Sequence, residues 1–291
     1  MHTSSQKDSQ TEPTRMTRGI DVSQYQGAIN WVKVKESGIT TVIVRCGWGQ
    51  NNIDKRAAEN IQGAINAGLS VGAYWFIYGL DEAGIANNAL KFYEFVKPFA
   101  EHITAGFWCD WEGDTDAYAN KNGVKFTKAQ RTDLIKVFCG VLTSHGLDKV
   151  GVYLNPDYLR TKVNDLSEFP LWLACYSAKK PTSWPCVMWQ YSSKGTIDGI
   201  DGAVDLNEVY FDAPAPEPVP TPERTISGMP ILRKNSRGKA VQIWQIIVDA
   251  QPDGIFGDIT LQRTKYFQRS HGIEDDGIVG PISWNTGINS I

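Results

Sequence analysis

Histidine is scarce in this chain. The 291 residues hold four, His2, His102, His145 and His271, scattered and without an HExxH or any paired ligand spacing. A zinc peptidase or amidase needs such a cluster, so no metal site and no cofactor is expected. Cysteine is little more informative. The five (Cys46, Cys109, Cys139, Cys175 and Cys186) are odd in number and form no CxxC pair. Cys46, Cys109 and Cys175 sit in apolar runs, where a thiol behaves as a small hydrophobe, so reduced thiols are expected rather than a disulfide framework. An excess of positive charge is also missing. The formal net charge of −3 argues against a general nucleic-acid role, which wants a strongly basic face. No stretch approaches the roughly 20 apolar residues of a membrane span, so no membrane partner is expected. Residues 1–18 are polar and lack the apolar core of a secretory signal. They read as a flexible tail, with synthesis in a cytoplasm.

What is present is aromatic. Ten Trp and eleven Tyr stand in an otherwise ordinary composition of 42% hydrophobic and 21% charged residues. Such rings stack on the apolar faces of sugars or fill a large core. The length allows one barrel-sized domain and a small one.

The stretch Phe107-Trp-Cys-Asp110-Trp-Glu112-Gly113 organises the rest. An apolar run ends in two carboxylates two residues apart, and in a strand those project to one face. Two like charges so close raise one pKa, which suits an acid that protonates a leaving oxygen near neutral pH.

Around it, strand-like runs alternate with helical ones. Residues 19–25, 40–46, 71–78, 150–155, 171–176, 187–191 and 204–206 read as strands. Helices are expected over 57–67, 82–96 and 127–145, with Thr127 and Gln130 forming a capping box and Gly146 a stop. Alternation of this kind means a parallel sheet with crossovers. Eight strands in about 190 residues, with the late helices missing, suggest a truncated (β/α) barrel, whose chemistry lies at the C-terminal strand ends. Asp21, Arg45, Tyr78, Asp110, Glu112, Gln190 and Asp205 are expected there.

Residues 213–225 begin APAPEPVPTPE, a polyproline-type spacer that marks a domain boundary. Beyond it, Asp253-Gly-Ile-Phe-Gly recurs as Asp276-Gly-Ile-Val-Gly, among apolar-periodic segments at 240–248 and 260–269. A small all-α domain of three short helices is expected over 226–291. It has no carboxylate cluster and reads as a binder.

Gly19-Ile-Asp-Val-Ser-Gln-Tyr-Gln-Gly27 is similar to the opening motif of glycoside hydrolase family 25, the Chalaropsis-type lysozymes. The resemblance continues through Val42-Ile-Val-Arg45, Gly72-Ala-Tyr-Trp-Phe76, Asp110-Trp-Glu112, Leu171-Trp-Leu-Ala174, Trp189-Gln-Tyr191 and Val204-Asp-Leu-Asn207, covering nearly all of 19–212 in the family's order. The tail resembles a three-helix peptidoglycan-binding domain through Leu232-Arg-Lys-Asn-Ser-Arg-Gly238, the two DGIxG turns, Phe267-Gln268 and Gly280-Pro281. Such a chain looks like a phage endolysin, with a bacterial autolysin of the same activity or a non-catalytic cell-wall-binding protein as the alternatives. It would be made in the host cytoplasm without a signal peptide and act on the bacterial wall.

The resemblance implies an α/β fold, an irregular (β/α)5β3 TIM-like barrel, with a second, small three-helix all-α domain. It implies cleavage of the β-1,4 bond between N-acetylmuramic acid and N-acetylglucosamine. Glu112 would be general acid and then base, Asp110 would orient the substrate's 2-acetamido group, and Asp21 and Asp205 would complete an acidic cup. Arg45, Tyr78, Tyr153, Trp172 and Gln190 are expected to contact sugar or position the carboxylates, with core packing the alternative for the Trp and Tyr residues. The family often carries His where this chain has Trp75. Self-association through the C-terminal domain stays open. A family 18 chitinase shares Asp-x-Glu, but its longer DxxDxDxE pattern is absent here.

Overall fold

The computed structural model describes residues 16–211 and 229–290, and the chain divides into two compact units. Residues 1–15 of the expected tail and the whole expected spacer at 213–225 lie outside the described residues.

The first unit is a closed barrel. Its strands are β1 (Thr17–Val22), β2 (Thr41–Trp48), β4 (Ser70–Phe76), β5 (Ile103–Asp110), β6 (Val150–Leu154), β7 (Leu171–Ala174), β8 (Met188–Gly195) and β9 (Val204–Val209), with a two-residue β3 (Asn52–Ile53) pinned on β2. Neighbours pair in that order, and β1 closes the ring by pairing with both β2 and β9. The first seven barrel strands run parallel, whereas β9 pairs antiparallel with both β8 and β1. Strand β1 starts at Thr17, which pairs with Val209, so the last two residues of the expected tail belong to the sheet.

Helices α1 (Trp31–Glu36), α2 (Ala57–Asn66), α3 (Glu82–Val96), α4 (Gly113–Lys121) and α5 (Lys128–Ser144) follow the early strands, and a π-helical turn at Tyr158–Lys162 follows β6. No helix separates β7, β8 and β9, which gives the expected irregular (β/α)5β3 pattern. Capping explains where the long helices start. The Asp81 side chain accepts from Gly84 N–H at 2.8 Å and opens α3; the Thr127 hydroxyl accepts from Gln130 N–H at 3.2 Å and opens α5. Each satisfies a backbone donor that the helix itself leaves free.

Because side chains alternate across a strand, register sorts the barrel into an outer and an inner face. Outward residues such as Phe107 meet the helices, where Phe92 of α3 lies with ring centroids 6.2 Å from Phe107 and 6.1 Å from Phe138 of α5. Inward, Tyr74 pairs with Trp108, and Tyr153, Trp172 and Met188 occupy successive paired positions across β6, β7 and β8. The centroids of Trp108 and Tyr153 are 5.8 and 4.6 Å from that of Trp172. Gly151 lies opposite Trp108 in this layer, and a Cβ there would stand 2.5 Å from the indole. Eight of the ten tryptophans are buried. The tryptophans are therefore chiefly core filling, whereas of the eleven tyrosines only Tyr153 and Tyr158 are buried.

The second unit contains α6 (Lys239–Ile247), α7 (Asp258–Ser270) and α8 (Pro281–Ile288) around Trp244, Phe256, Phe267 and Trp284. Its internal repeat is structural. Gln245 donates to Asp253 Oδ1, the Ile255 carbonyl and the Thr260 hydroxyl at 2.7–3.0 Å, and accepts from Gly254 N–H at 2.8 Å. Gln268 makes the same four bonds to Asp276, Ile278, Ser283 and Gly277 at 2.9–3.2 Å. Gly254 and Gly277 have φ of 75° and 76°, the left-handed conformation that favours glycine.

Candidate active site

The C-terminal ends of the parallel strands gather the carboxylates. Asp21 lies near the end of β1, Asp110 is the last residue of β5, and Glu112 caps α4 in an extended conformation. Asp205 reaches the same face by another route. The expectation was a strand C-terminus, but β9 runs backwards, so its second residue lies at this mouth, directly opposite Asp21. All four predicted carboxylates are thus brought together.

Burial and mutual repulsion set their protonation. Asp21 is held well above the usual carboxylate range by burial first and then by the Asp205 charge, against two hydrogen bonds that favour the ion. Burial, the Glu112 charge and the Asp21 charge raise Asp110 likewise, with Arg45 pulling the other way. Glu112 is raised by burial and by the Asp114 charge. Asp205 is raised by burial. Each of these acids therefore holds its proton to a higher pH than a free carboxylate does. Asp110 and Glu112 share a side-chain hydrogen bond, and Asp110 Oδ1 is buried without a protein donor.

A network of donors fixes Asp21. Its Oδ2 accepts from the Gln190 amide at 2.9 Å and from the Asn207 amide at 2.7 Å. The Tyr153 and Tyr176 hydroxyls both donate to Gln190 Oε1, at 2.8 and 3.0 Å, which fixes which end of that amide faces Asp21. The Trp172 indole donates to Asn207 Oδ1 at 2.8 Å and orients the second amide in the same way. Of the residues expected to touch sugar or to position carboxylates, Tyr153, Trp172 and Gln190 are buried and take part in this network.

Arg45 is committed elsewhere. Its guanidinium binds Asp54 at 2.9–3.0 Å and lies 5.0 Å from the ring centroids of both Tyr25 and Trp48. It acts on the site through its charge. Tyr78 is half-buried, 5.2 Å from the Tyr118 ring centroid, and its backbone is clamped by buried Asn88 at 3.0–3.2 Å. Trp75 is fully buried on the outer face against Phe92 and donates to the Gly49 carbonyl at 3.0 Å. It supports the wall rather than the cup.

Three supports escaped sequence reasoning. Tyr176 follows β7 in a turn. The Asn207 amide is hidden in a motif read mainly for Asp205. Behind Glu112, Tyr158 donates to the Glu112 carbonyl at 3.0 Å and to Asp116 Oδ2 at 2.9 Å, and Arg131 pairs with Asp116 at 3.0 Å. Tyr176 was detectable as an aromatic at a strand end; the other two carried no sequence signal of their role.

The chain belongs to glycosyl hydrolases family 25, whose sequence profile matches residues 20–200. A peptidoglycan binding domain profile matches residues 244–286. The chain is 29% identical over 197 residues to an autolytic lysozyme of Clostridium acetobutylicum, covering 66% of this chain and 55% of that protein. It is 28% identical over 212 residues to lysozyme M1 of Streptomyces globisporus, covering 67% and 68%. The modular autolysin LytC of Streptococcus pneumoniae, solved with a synthetic peptidoglycan ligand, matches with a TM-score of 0.58 and 26% identity over 67% of this chain and 47% of that one. The chain thus spans about half the length of the Clostridium and Streptococcus proteins.

Proposed function

We propose that the chain is an N-acetylmuramidase, cutting the β-1,4 bond between N-acetylmuramic acid and N-acetylglucosamine in bacterial peptidoglycan. The barrel over 19–212 would do the chemistry and 226–291 would hold the wall, with 213–225 as spacer. The observation that carries the reading is the convergence of four carboxylates at one barrel mouth, with Asp110 Oδ1 buried among them without a protein donor. Glycosidic cleavage passes through an oxocarbenium-like state, which carboxylates stabilise while one protonated acid serves the leaving oxygen.

In this reading Glu112 donates its proton to the glycosidic oxygen and, as a carboxylate, later activates water. Asp110 accepts from the 2-acetamido N–H and sets its oxygen to assist at the anomeric carbon, with retention. Asp21 and Asp205 complete the negative cup. Digestion of purified Gram-positive peptidoglycan, followed by borohydride reduction, tests the bond. Muramitol among the products is the expected result. Glucosaminitol would mean that the other glycosidic bond is cut, and no new reducing ends would overturn the reading.

We read the biological role as that of a phage endolysin made in the host cytoplasm. The Clostridium acetobutylicum relative is named as autolytic, so a bacterial autolysin is the second reading. Lysis of host cells on cytoplasmic expression only when the membrane is permeabilised is the expected outcome; lysis without permeabilisation would count against it.

A further inference from the structure

Beside the acidic cup lies a second concavity of about 390 Å³, lined by Tyr176, Ser177, Tyr191, Ser192, Ser193 and Lys194. The two share a wall. The Tyr176 hydroxyl reaches Gln190 at 3.0 Å, inside the cup, while the residue as a whole is 60% exposed. Burial, then the charges of Asp205, Asp21 and Glu112, push this phenol up to about 12, opposed by a hydrogen bond with Ser193. Tyr176 therefore stands between the carboxylates and the groove.

The other wall exists because β8 runs on past Gln190 to Gly195, and its register with β9 slips between Gln190 and Ser192 and again between Ser192 and Gly195. Bulges of this kind re-aim side chains at a barrel rim. Here they accompany a run of two serines and a lysine beside the cup. Among the described residues the Lys194 ammonium joins no ion pair. The cup is anionic and the groove carries a cation, so a substrate with a neutral sugar backbone and an anionic branch would fit across both.

We propose that this groove is the subsite for the stem peptide on the muramic acid residue, with Lys194 pairing with a peptide carboxylate and the serine hydroxyls meeting its amides. The assignment rests on the muramidase reading above. It makes the enzyme selective for peptide-bearing strands and places the branch on the β7–β8 side of the cup.

The test compares soluble, uncrosslinked peptidoglycan strands that retain their stem peptides with the same strands after an amidase has removed them. An exposed ion pair contributes up to about 1 kcal/mol, or roughly fivefold in affinity. Lys194→Ala is therefore expected to raise KM on peptide-bearing strands about two- to fivefold. kcat should hold, and both constants on stripped strands should stay unchanged. Lys194→Glu should raise KM further on peptide-bearing strands only, and Lys194→Arg should restore it. An equal effect of Lys194→Ala on both substrates, or none on either, overturns the proposal. Wild-type release of muramic reducing ends from stripped strands keeps the muramidase reading in place whichever way the groove result falls.

Discussion

Asp21 and Asp205 face each other as directly paired residues of β1 and β9, at the point where the barrel closes with an antiparallel strand. Buried like charges in that register oppose each other's ionisation. Asp21 is held well above 3.8 in the folded chain. Its contribution to stability is therefore complete below the unfolded value and is lost as pH rises through the folded one. Asp21→Asn removes that loss, and its carbonyl oxygen can still accept from Gln190 and Asn207. We expect Tm to rise by about 2–4 °C at pH 7 relative to wild type, equivalent to about 1 kcal/mol in a domain of this size. The gain should shrink as pH falls towards 4. Activity should drop at least about 100-fold with the cup's charge. A Tm difference independent of pH would remove the electrostatic account.

Glu112 is the acid in the proposed reaction. Glu112→Gln keeps the shape of the side chain and leaves the Tyr158 bond to its carbonyl untouched. We expect hydrolysis to fall by about 10²–10⁴-fold, with Tm close to wild type and sedimentation with purified walls unchanged. Turnover near the wild-type rate would show that another group supplies the proton.

Asp114, in the first turn of α4, is exposed, and its charge helps to raise Glu112. Asp114→Asn removes that repulsion, so the Glu112 pKa falls and the protonated acid is lost at a lower pH. The alkaline limb of the kcat–pH profile should move to lower pH while the value at the optimum changes little. A limb that stays in place, or moves to higher pH, would separate it from Glu112.

Trp172 illustrates a support that acts at one remove. Its indole fixes Asn207, and Asn207 donates to Asp21. Trp172→Phe leaves Asn207 Oδ1 buried without its donor, at a cost of about 1–3 kcal/mol, and frees the amide to turn over. We expect kcat to fall about tenfold with KM unchanged, since Trp172 is buried behind Asn207. A change in KM alone would place Trp172 in the sugar site instead.

The sequence was most legible where pattern and chemistry coincide. Strand runs, capping residues and the Asp110–Glu112 spacing each express a local rule, and the parallel strands and the longer helices follow them. Helix α4 was missed because it is polar almost throughout and buries only Thr115 and Ala119, so it has no apolar stripe to read. The direction of β9 was hidden because alternation of polar and apolar residues is the same read either way. Asp205 still reaches the cup, by the opposite end of its strand. The commitment of Arg45 to Asp54 depends on a loop after β3, and the roles of Asn207 and Tyr158 depend on closure of the ring. Such contacts arise only in three dimensions.

Trp75 stands where the family often carries His, and the structure gives the consequence a sign. The indole fills the space between β4 and α3, 5.9 Å from the Phe92 centroid, and bonds the Gly49 carbonyl at the turn after β2. Gly47 has no Cβ, and one there would stand 2.5 Å from the Trp75 ring; the neighbourhood is shaped to the larger side chain. Trp75→His would leave a cavity and place an imidazole where only one polar partner is at hand. We expect a loss of about 2–4 kcal/mol in stability, seen as a lower Tm for the barrel, with KM for peptidoglycan unchanged at a temperature where both proteins are folded. A variant that kept its stability and altered KM would place this residue at the sugar instead of in the wall behind it.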